Sequence, residues 1–287
     1  MDNLKKEGVI ILDFGSQYTQ LIARRIRENY VFSEVLSCDT SLEKIEQKNP
    51  KAIILSGGPS SVFSDDAPKF DKSILDIKIP ILGICYGLHL LVHHSGGKVD
   101  STGKGEYGFA EVAFENDKNI LKNMSLKSNV WMSHMDQVTK VPDDWKIFAK
   151  SSNGVIAGLV NKNQTRIATQ FHPEVSHTEE GNILLNNFLF NIAKCEKNWT
   201  PNNLIDEQVR VIKEQCNNEK IIVGVSGGVD STVMACLINK AVGHNCFAVL
   251  IDHGLLRKNE AKECVDLLKN GLGINIHLYD ESEIFFS

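Results

Sequence analysis

Cys85 is the residue in this sequence whose surroundings most favour nucleophilic chemistry. It lies in Gly83-Ile84-Cys85-Tyr86-Gly87, after an apolar strand and before a predicted helix. Such a G-x-C-x-G turn is a nucleophile elbow, in which the glycines relieve crowding so that the central side chain projects from a strained turn. The first N–H groups of the helix stabilise a thiolate there. The alternative is a buried structural cysteine, since free cysteines are commonly buried.

A general base for Cys85 is available in the string QFHPE at residues 170–174, which follows the apolar strand 166–169. His172 is predicted to accept the thiol proton, and Glu174 is predicted to fix the tautomer of the imidazole. An isolated histidine is more commonly a surface or core residue. Elbow, histidine and glutamate, each at the end of a predicted strand, together favour a catalytic site.

An oxyanion hole is the third part that such a site needs. Ser56-Gly57-Gly58-Pro59 ends another apolar strand, and its flexible backbone can direct an N–H group at a developing oxyanion. The N–H group of Tyr86 is the second candidate donor. A plain turn is the competing interpretation of these glycines.

A second string that could take part in chemistry, residues 226–232, lies between the apolar strand 221–225 and a predicted helix. Small residues let loop N–H groups converge on an anion at a helix N-terminus, hydroxyls add donors, and an aspartate can hold Mg²⁺. No lysine follows the second glycine, so the string is not a Walker P-loop, and a Gly/Ser turn without a ligand is the alternative. The predicted phosphate loop consists of Ser226, Gly227, Gly228, Val229, Asp230, Ser231 and Thr232, with Asp230 as the Mg²⁺ ligand.

Composition and charge favour small-molecule chemistry. The 287 residues are 42% hydrophobic and 23% charged, with a net charge of −5, which predicts no nucleic-acid partner and no membrane association. Residues 1–8 are polar and lack the apolar core of a secretory signal, so a cytoplasmic location is expected. The seven cysteines form no close CxxC pair, which disfavours both a disulfide framework and a zinc site.

Apolar runs set the predicted architecture of the first part of the chain. The runs 9–12, 52–55 and 80–84 are continuously apolar and alternate with helical stretches such as 17–28. Continuous apolar strands indicate a sheet buried on both faces, which is typical of parallel α/β layers. From 106 to 166 the pattern changes to shorter, more polar strands, and antiparallel additions are expected there.

The polar segment 196–203 predicts a boundary between two domains, 1–199 and 200–287. We therefore predict an α/β fold with two doubly wound, mostly parallel-sheet domains. The second domain ends on apolar residues at 284–286 and is expected to be the N-terminal part of a larger one. Its predicted elements are a helix at 204–215, a strand at 220–225, a helix at 229–242, a strand at 245–251, a helix at 257–270 and a strand at 274–279.

Five strings together resemble the class I glutamine amidotransferases: DFGSQY at 13–18, LSGGP at 55–59, the Cys85 elbow, WMSH at 131–134 and QFHPE at 170–174. The resemblance implies an amidotransferase fold and hydrolysis of glutamine to glutamate and ammonia. It makes Cys85 the nucleophile that forms a glutamyl thioester, His172 the general acid and base, and Glu174 its orienting partner. The remaining residues that it places at the oxyanion or at glutamine are Gly58, Tyr86, His89, Ser133 and His134.

The loop 226–232 resembles the pyrophosphate loop of the ATP pyrophosphatases, with support from DHGLLR at 252–257. The order of the two domains resembles the family of glutamine-hydrolysing GMP synthetases. That resemblance implies ATP with Mg²⁺, adenylation of xanthosine 5′-monophosphate (XMP) at its C2 oxygen, and displacement of AMP by ammonia. It also implies an incomplete adenine-nucleotide α-hydrolase-like second domain, and homodimers formed through a region beyond these residues.

Two departures from the family pattern lie near the expected glutamine pocket. His89 stands where a glutamine is usual, and Met135-Asp136-Gln137 replaces Gly-Asp-Lys. Methionine adds bulk and reaches positive φ less easily than glycine, so weakened glutamine binding is expected. These departures leave a non-catalytic regulatory or binding protein as the alternative. A glutaminase subunit for another acceptor is a third possibility, which the ATP loop disfavours.

Overall fold

The computed structural model describes residues 7–64, 67–115 and 119–286. The chain divides into two compact units, Met1–Trp199 and Thr200–Ser287, with the division inside the polar segment 196–203. In the described part of the chain, no helix combines the length and the apolar character needed to cross a membrane.

One sheet holds all the strands described in the first unit. These strands are β1 (Val9–Asp13), β2 (Ser33–Ser37), β3 (Ala52–Leu55), β4 (Ile81–Ile84), β5 (Lys98–Phe114), β6 (Lys127–Lys140), β7 (Trp145–Ser151), β8 (Ile156–Asn161) and β9 (Arg166–Thr169). The helices are α1 (Thr19–Glu28), α2 (Leu42–Glu46), α3 (Tyr86–His94) and α4 (Gly181–Asn186), with a 3-10 turn at Lys72–Asp76 and wider, π-type turns at Asn187–Ile192.

The strand order is β2-β1-β3-β4-β9-β8-β7-β5-β6. The pairs from β2 to β9 are parallel, and those from β9 to β6 are antiparallel. Every residue of β3 and β4 is buried, as a sheet covered on both faces requires. The antiparallel additions expected after residue 106 are confirmed; they begin at Lys98 and make up four of the nine strands.

Helices cover both faces of the parallel half, which confirms the α/β class. Ile22 and Ile26 of α1 pack with Leu184 of α4 on one face. Ile45 of α2 and Leu88 of α3 lie in the core on the other face. Because β3, β4 and β9 are neighbours and parallel, the loops after their carboxyl ends meet at one edge, where α/β proteins bind ligands.

The second unit is a parallel sheet of order β10-β11-β12. Its helix α5 begins at a Thr200 cap, whose Oγ1 accepts the N–H of Asn203 at 3.2 Å, and has Pro201 at its first position. The elements are α5 (Pro201–Cys216), β10 (Ile221–Gly224), α6 (Val229–Val242), β11 (Cys246–Asp252), α7 (Glu260–Asp266), β12 (Ile276–Asp280) and α8 (Ser282–Phe286), with a 3-10 turn at Gly243–Asn245 and wider turns at Leu267–Gly271.

Candidate active site

Cys85 occupies a strained turn between β4 and α3. Its backbone has φ 53° and ψ −102°, a region that L-residues rarely adopt and that is found where function demands it. A Cβ on Gly83 would lie 2.5 Å from the carbonyl oxygen of Gly87, and a Cβ on Gly87 would lie 2.4 Å from that of Leu55. Both glycines are therefore required by close backbone contacts, and the turn has the geometry of a nucleophile elbow.

His172 lies just beyond β9 and is held from several sides. Its N–H donates to the carbonyl oxygen of Trp131 at 3.1 Å, and its own carbonyl oxygen accepts the hydroxyl of Thr178 at 2.6 Å. Its Nδ1 is 2.8 Å from Oε1 of Glu174, which is fully buried. Because a carboxylate only accepts, Nδ1 carries the proton in this pair. His172 and Cys85 line the same cavity.

The environment of His172 favours its protonated form. Burial by itself lowers the pKa of His172, but the charge of Glu174 and the hydrogen bonds with Cys85 and Glu174 outweigh this and raise it well above its ordinary value. Arg25 of α1 donates from Nε to the carbonyl oxygen of Glu174 at 2.8 Å and so fixes the segment that carries this carboxylate. The arrangement supports an imidazolium beside the sulfur.

A cavity of about 560 Å³ opens at this edge of the sheet. It brings together every residue that the sequence placed at the first site except Glu174, which lies behind His172. A Cβ on Gly58 would lie 2.6 Å from the carbonyl oxygen of Phe14, so the loop after β3 packs against the backbone after β1 too closely for a side chain. The predicted residues that line the cavity are Gly58, Cys85, Tyr86, His89, Ser133, His134 and His172.

Gln170 contacts the sulfur and was not predicted as a site residue. Its Nε2 is 3.8 Å from Sγ of Cys85, and its Oε1 is 2.9 Å from Nε2 of His89. The thiol of Cys85 also lies 3.6 Å from the carbonyl oxygen of Ser133. The sequence signal was present, because Gln170 opens the same QFHPE string as His172 and follows directly after a strand.

His134 lies beside a carboxylate, Glu106, that sequence reasoning also missed. Its Nδ1 donates to the carbonyl oxygen of Asp136 at 3.0 Å, and its Nε2 lies 3.5 Å from Oε2 of Glu106. Burial lowers the pKa of His134, against the charge of Glu106. Oε1 of Glu106 accepts from Ser151 and Asn153, each at 2.8 Å. These bonds tie Glu106 of β5 to the end of β7 and to the turn that follows it.

Met135 lies at the rim of the cavity and is half exposed. It is absent from the described residues that have a positive φ, so its backbone does not need the conformation that glycine would favour. Of the two effects expected from methionine at this position, the added bulk is the one that the structure supports.

The predicted phosphate loop has the expected strand–loop–helix setting, between β10 and α6. Gly227 has φ 82°, which glycine adopts without strain. The hydroxyls of Ser231 and Thr232 donate to the carbonyl oxygen of Gly228 at 3.1 and 2.9 Å, and the N–H of Ser226 donates to Oγ of Ser231 at 3.2 Å. These side chains therefore brace the loop, and the first turn of α6 has backbone N–H groups without partners inside the helix.

Asp230 is the only carboxylate within this loop, in the first turn of α6. Across residues 7–64, 67–115 and 119–286, no group of three or more His, Cys, Asp or Glu side chains is arranged to hold a metal ion. A single carboxylate suits Mg²⁺ only where phosphate oxygens and water supply the other ligands. The donor set therefore fits a nucleotide-bound Mg²⁺ rather than a resident metal.

Comparison with known families identifies the first unit. The sequence model described as glutamine amidotransferase class-I matches residues 10–192, more than half of the chain. The chain belongs to the class-I glutamine amidotransferase family. In this amidotransferase the match includes the elbow and the His172–Glu174 pair. A second sequence model, described as NAD synthase, matches residues 202–286.

Curated relatives of the amidotransferase extend over both units. GMP synthase (glutamine-hydrolyzing) from Brachyspira hyodysenteriae is 47% identical over 279 residues, which are 97% of this chain and 54% of that protein. The protein of the same name from Fusobacterium nucleatum is 46% identical over 285 residues, 99% of this chain and 56% of its own length. The chain thus spans about half the length of the curated relatives it matches.

Solved structures agree on the fold of the amidotransferase unit. A candidate GMP synthase subunit from Thermoplasma acidophilum has a TM-score of 0.56 and 29% identity, and the match covers 64% of this chain and 92% of that one. A glutamine amidotransferase from Thermotoga maritima has a TM-score of 0.53 at 18% identity, covering 66% and 99% of the two chains, and supports the fold alone.

Proposed function

We propose that this amidotransferase hydrolyses glutamine at Cys85 and delivers the ammonia to an ATP-dependent amination of XMP, which yields GMP. One observation carries the glutaminase part: Cys85 has a strained backbone and shares a cavity with His172, which is itself bonded to the buried Glu174. The names of the curated relatives support the acceptor.

Thioester formation follows from the positions of the side chains. The Cys85 thiolate attacks the carboxamide carbon of glutamine, and the carbonyl oxygen becomes an oxyanion. The N–H groups of Gly58 and Tyr86 are the proposed donors to that oxyanion. Protonated His172 gives its proton to the departing nitrogen, so that ammonia leaves and a glutamyl thioester remains.

Hydrolysis of the thioester uses the same groups in reverse. Neutral His172 takes a proton from water, the hydroxide attacks the thioester carbon, and glutamate leaves as the Cys85 thiolate is restored. Glu174 keeps the Nδ1 proton of His172 in place throughout, so that Nε2 is the atom that exchanges protons. His89, Ser133 and His134 are the proposed contacts of bound glutamine.

The second unit is the proposed site of ATP. First-turn N–H groups of α6 would hold the phosphates, and Asp230 would hold Mg²⁺ together with phosphate oxygens. Mg²⁺, when bound, neutralises phosphate charge. Adenylation makes the C2 oxygen of XMP a good leaving group, which ammonia then displaces. A cytoplasmic location is proposed because Cys85 must stay reduced, and homodimerisation is proposed for the whole enzyme.

Release of ammonia and glutamate from glutamine tests the first part of the proposal. The wild-type chain should produce both products in equal amounts, and Cys85→Ala should produce neither. Cys38→Ala is the matched control, because Cys38 lies outside the cavity. Wild-type protein that binds glutamine without releasing ammonia would instead support a non-catalytic binding protein.

Binding of a fluorescent ATP analogue with Mg²⁺ tests the second part. Gly227→Ala places a Cβ at φ 82° and should weaken binding by about tenfold or more, while glutaminase activity is unchanged. Equal binding by the variant and the wild type would remove the loop from the proposal.

A further inference from the structure

A buried chain of hydrogen bonds leads from His89 through Gln170 to the sulfur of Cys85. His89 lies one turn along α3 from Cys85, and Gln170 follows β9. Gln170 is 0% exposed and His89 is 4% exposed. The bonds run from His89 Nε2 to Gln170 Oε1 at 2.9 Å, and from Gln170 Nε2 to Cys85 Sγ at 3.8 Å.

The direction of these bonds follows from which atoms can donate. Burial lowers the pKa of His89, so its ring is neutral and carries one proton. In the orientation that the Gln170 carboxamide has in the structure, its oxygen accepts from Nε2 of His89, which then carries the proton. The carboxamide is thereby held with its NH₂ group toward the sulfur.

The sulfur needs such a donor when it is ionised. The carbonyl oxygen of Ser133, 3.6 Å from Sγ, accepts a hydrogen bond from a thiol but repels a thiolate. Gln170 Nε2, 3.8 Å from Sγ, is a donor that offsets this repulsion, and protonated His172 in the same cavity adds a positive charge. Inside a buried site, a donor to an ionised group is stronger than one to a neutral group.

We propose that Gln170 stabilises the Cys85 thiolate and that His89 is a positioning residue, which holds the Gln170 carboxamide in its donating orientation. The inference rests on the proposed glutaminase function and deepens it. It gives His89 a role through Gln170 and the nucleophile, beyond any contact with substrate. Loss of His89 should therefore change the ionisation of Cys85 in the absence of glutamine.

Other titratable groups face the same corner. They are His172 and Glu174 after β9, His134 and Asp136 on β6, and Glu106 on β5. None of them is altered in the variants below. Because His89 is neutral, its replacement removes no charge, so a shift shared by variants of Gln170 and His89 reports the hydrogen-bonded chain.

The test is the pH profile of Cys85 alkylation by iodoacetamide, followed by mass spectrometry of the Cys85 peptide so that the other six cysteines do not contribute. Gln170→Met keeps the side-chain length and removes the donor. It should raise the midpoint of the profile by about 0.5 to 1 pH unit. His89→Met should shift it in the same direction, and His89→Gln, which can still donate to Oε1, should restore it.

The midpoints of the alkylation profiles show whether Gln170 stabilises the Cys85 thiolate. An unchanged midpoint in Gln170→Met overturns the proposal, and a lower midpoint means that Oε1 rather than Nε2 faces the sulfur. Variants that reach the wild-type rate at high pH have an intact, folded site. If the wild-type chain releases no ammonia but the midpoints still shift, the glutaminase function fails and this inference stands. If ammonia is released and the midpoints do not shift, the glutaminase function stands and this inference fails.

Discussion

Nδ1 of His172 lies 2.8 Å from Oε1 of Glu174, whose side chain has no exposure to solvent. The bond leaves the opposite nitrogen free to exchange protons in the cavity that His172 shares with Cys85. A charge this well buried acts at close range on one imidazole, so its removal should affect proton transfer more than substrate binding.

Glu174→Gln should lower kcat of the glutaminase reaction by about 10²- to 10⁴-fold, with a much smaller effect on KM. The amide can leave His172 in the wrong tautomer and no longer favours the imidazolium. Steady-state kinetics of ammonia release measures both parameters. Glu179→Gln is the matched control, because Glu179 pairs with Asn129 outside the cavity. Equal kcat in Glu174→Gln and wild type would contradict the role given to Glu174.

The free energy of unfolding should fall at alkaline pH because of the His172–Glu174 pair. Burial lowers the pKa of His172, but Glu174 and Cys85 raise it to about 10, against 6.5 in the unfolded chain. The folded state thus binds this proton more tightly. Its contribution to stability is complete below pH 6.5 and is lost as pH rises through about 10.

Urea unfolding followed by tryptophan fluorescence measures this dependence, since all three tryptophans lie in the first unit. Between pH 6.5 and 10, the loss of unfolding free energy should be larger in the wild type than in Glu174→Gln. A wild-type curve parallel to that of the variant would show that the carboxylate does not hold the proton on His172.

Gly87→Ala should destabilise the first unit by at least about 3 kcal/mol, because its Cβ would overlap the backbone of β3. Gly154→Ala separates this effect from backbone strain. Gly154 has φ 83° with nothing near its Cβ position, so its replacement should cost about 1 kcal/mol. Equal losses in the two variants, measured by urea unfolding, would mean that the elbow is not closely packed.

Met135→Gly should lower the KM for glutamine by about three- to tenfold with little change in kcat, because it removes bulk from the cavity rim without touching the reacting atoms. Leu126→Gly is a suitable control, since Leu126 is exposed and lies outside the cavity. A KM unchanged in Met135→Gly would refute weakened glutamine binding by this side chain.

The sequence was informative wherever local pattern determined structure. Continuous apolar runs predicted β1, β3 and β4, and parallel packing of neighbouring strands then placed the loops after β3, β4 and β9 together. The helix predicted at 229–242 is observed at Val229–Val242. The helix predicted from 257 begins only at Glu260, because Asn259 has φ 65° and cannot continue a helix.

Contacts between residues that are distant in the sequence could not be predicted from local sequence patterns. Glu106 meets His134 only because β5 and β6 shift register between Ser101 and Glu106. His89 and Gln170 are 81 residues apart, and their bond depends on the angle at which α3 leaves the elbow. Neither the bulge nor that angle has a pattern in the residues themselves.

Labelling with a glutamine-like diazoketone, followed by mass spectrometry, tests the central claim that Cys85 is the nucleophile of a glutamine site. We expect one label per chain, on Cys85, prevented by excess glutamine and absent from Cys85→Ala. The other six cysteines lack the elbow and the His172–Glu174 pair and should remain unlabelled. A Cys85 that stays unlabelled, or labelling that excess glutamine does not reduce, would contradict the account.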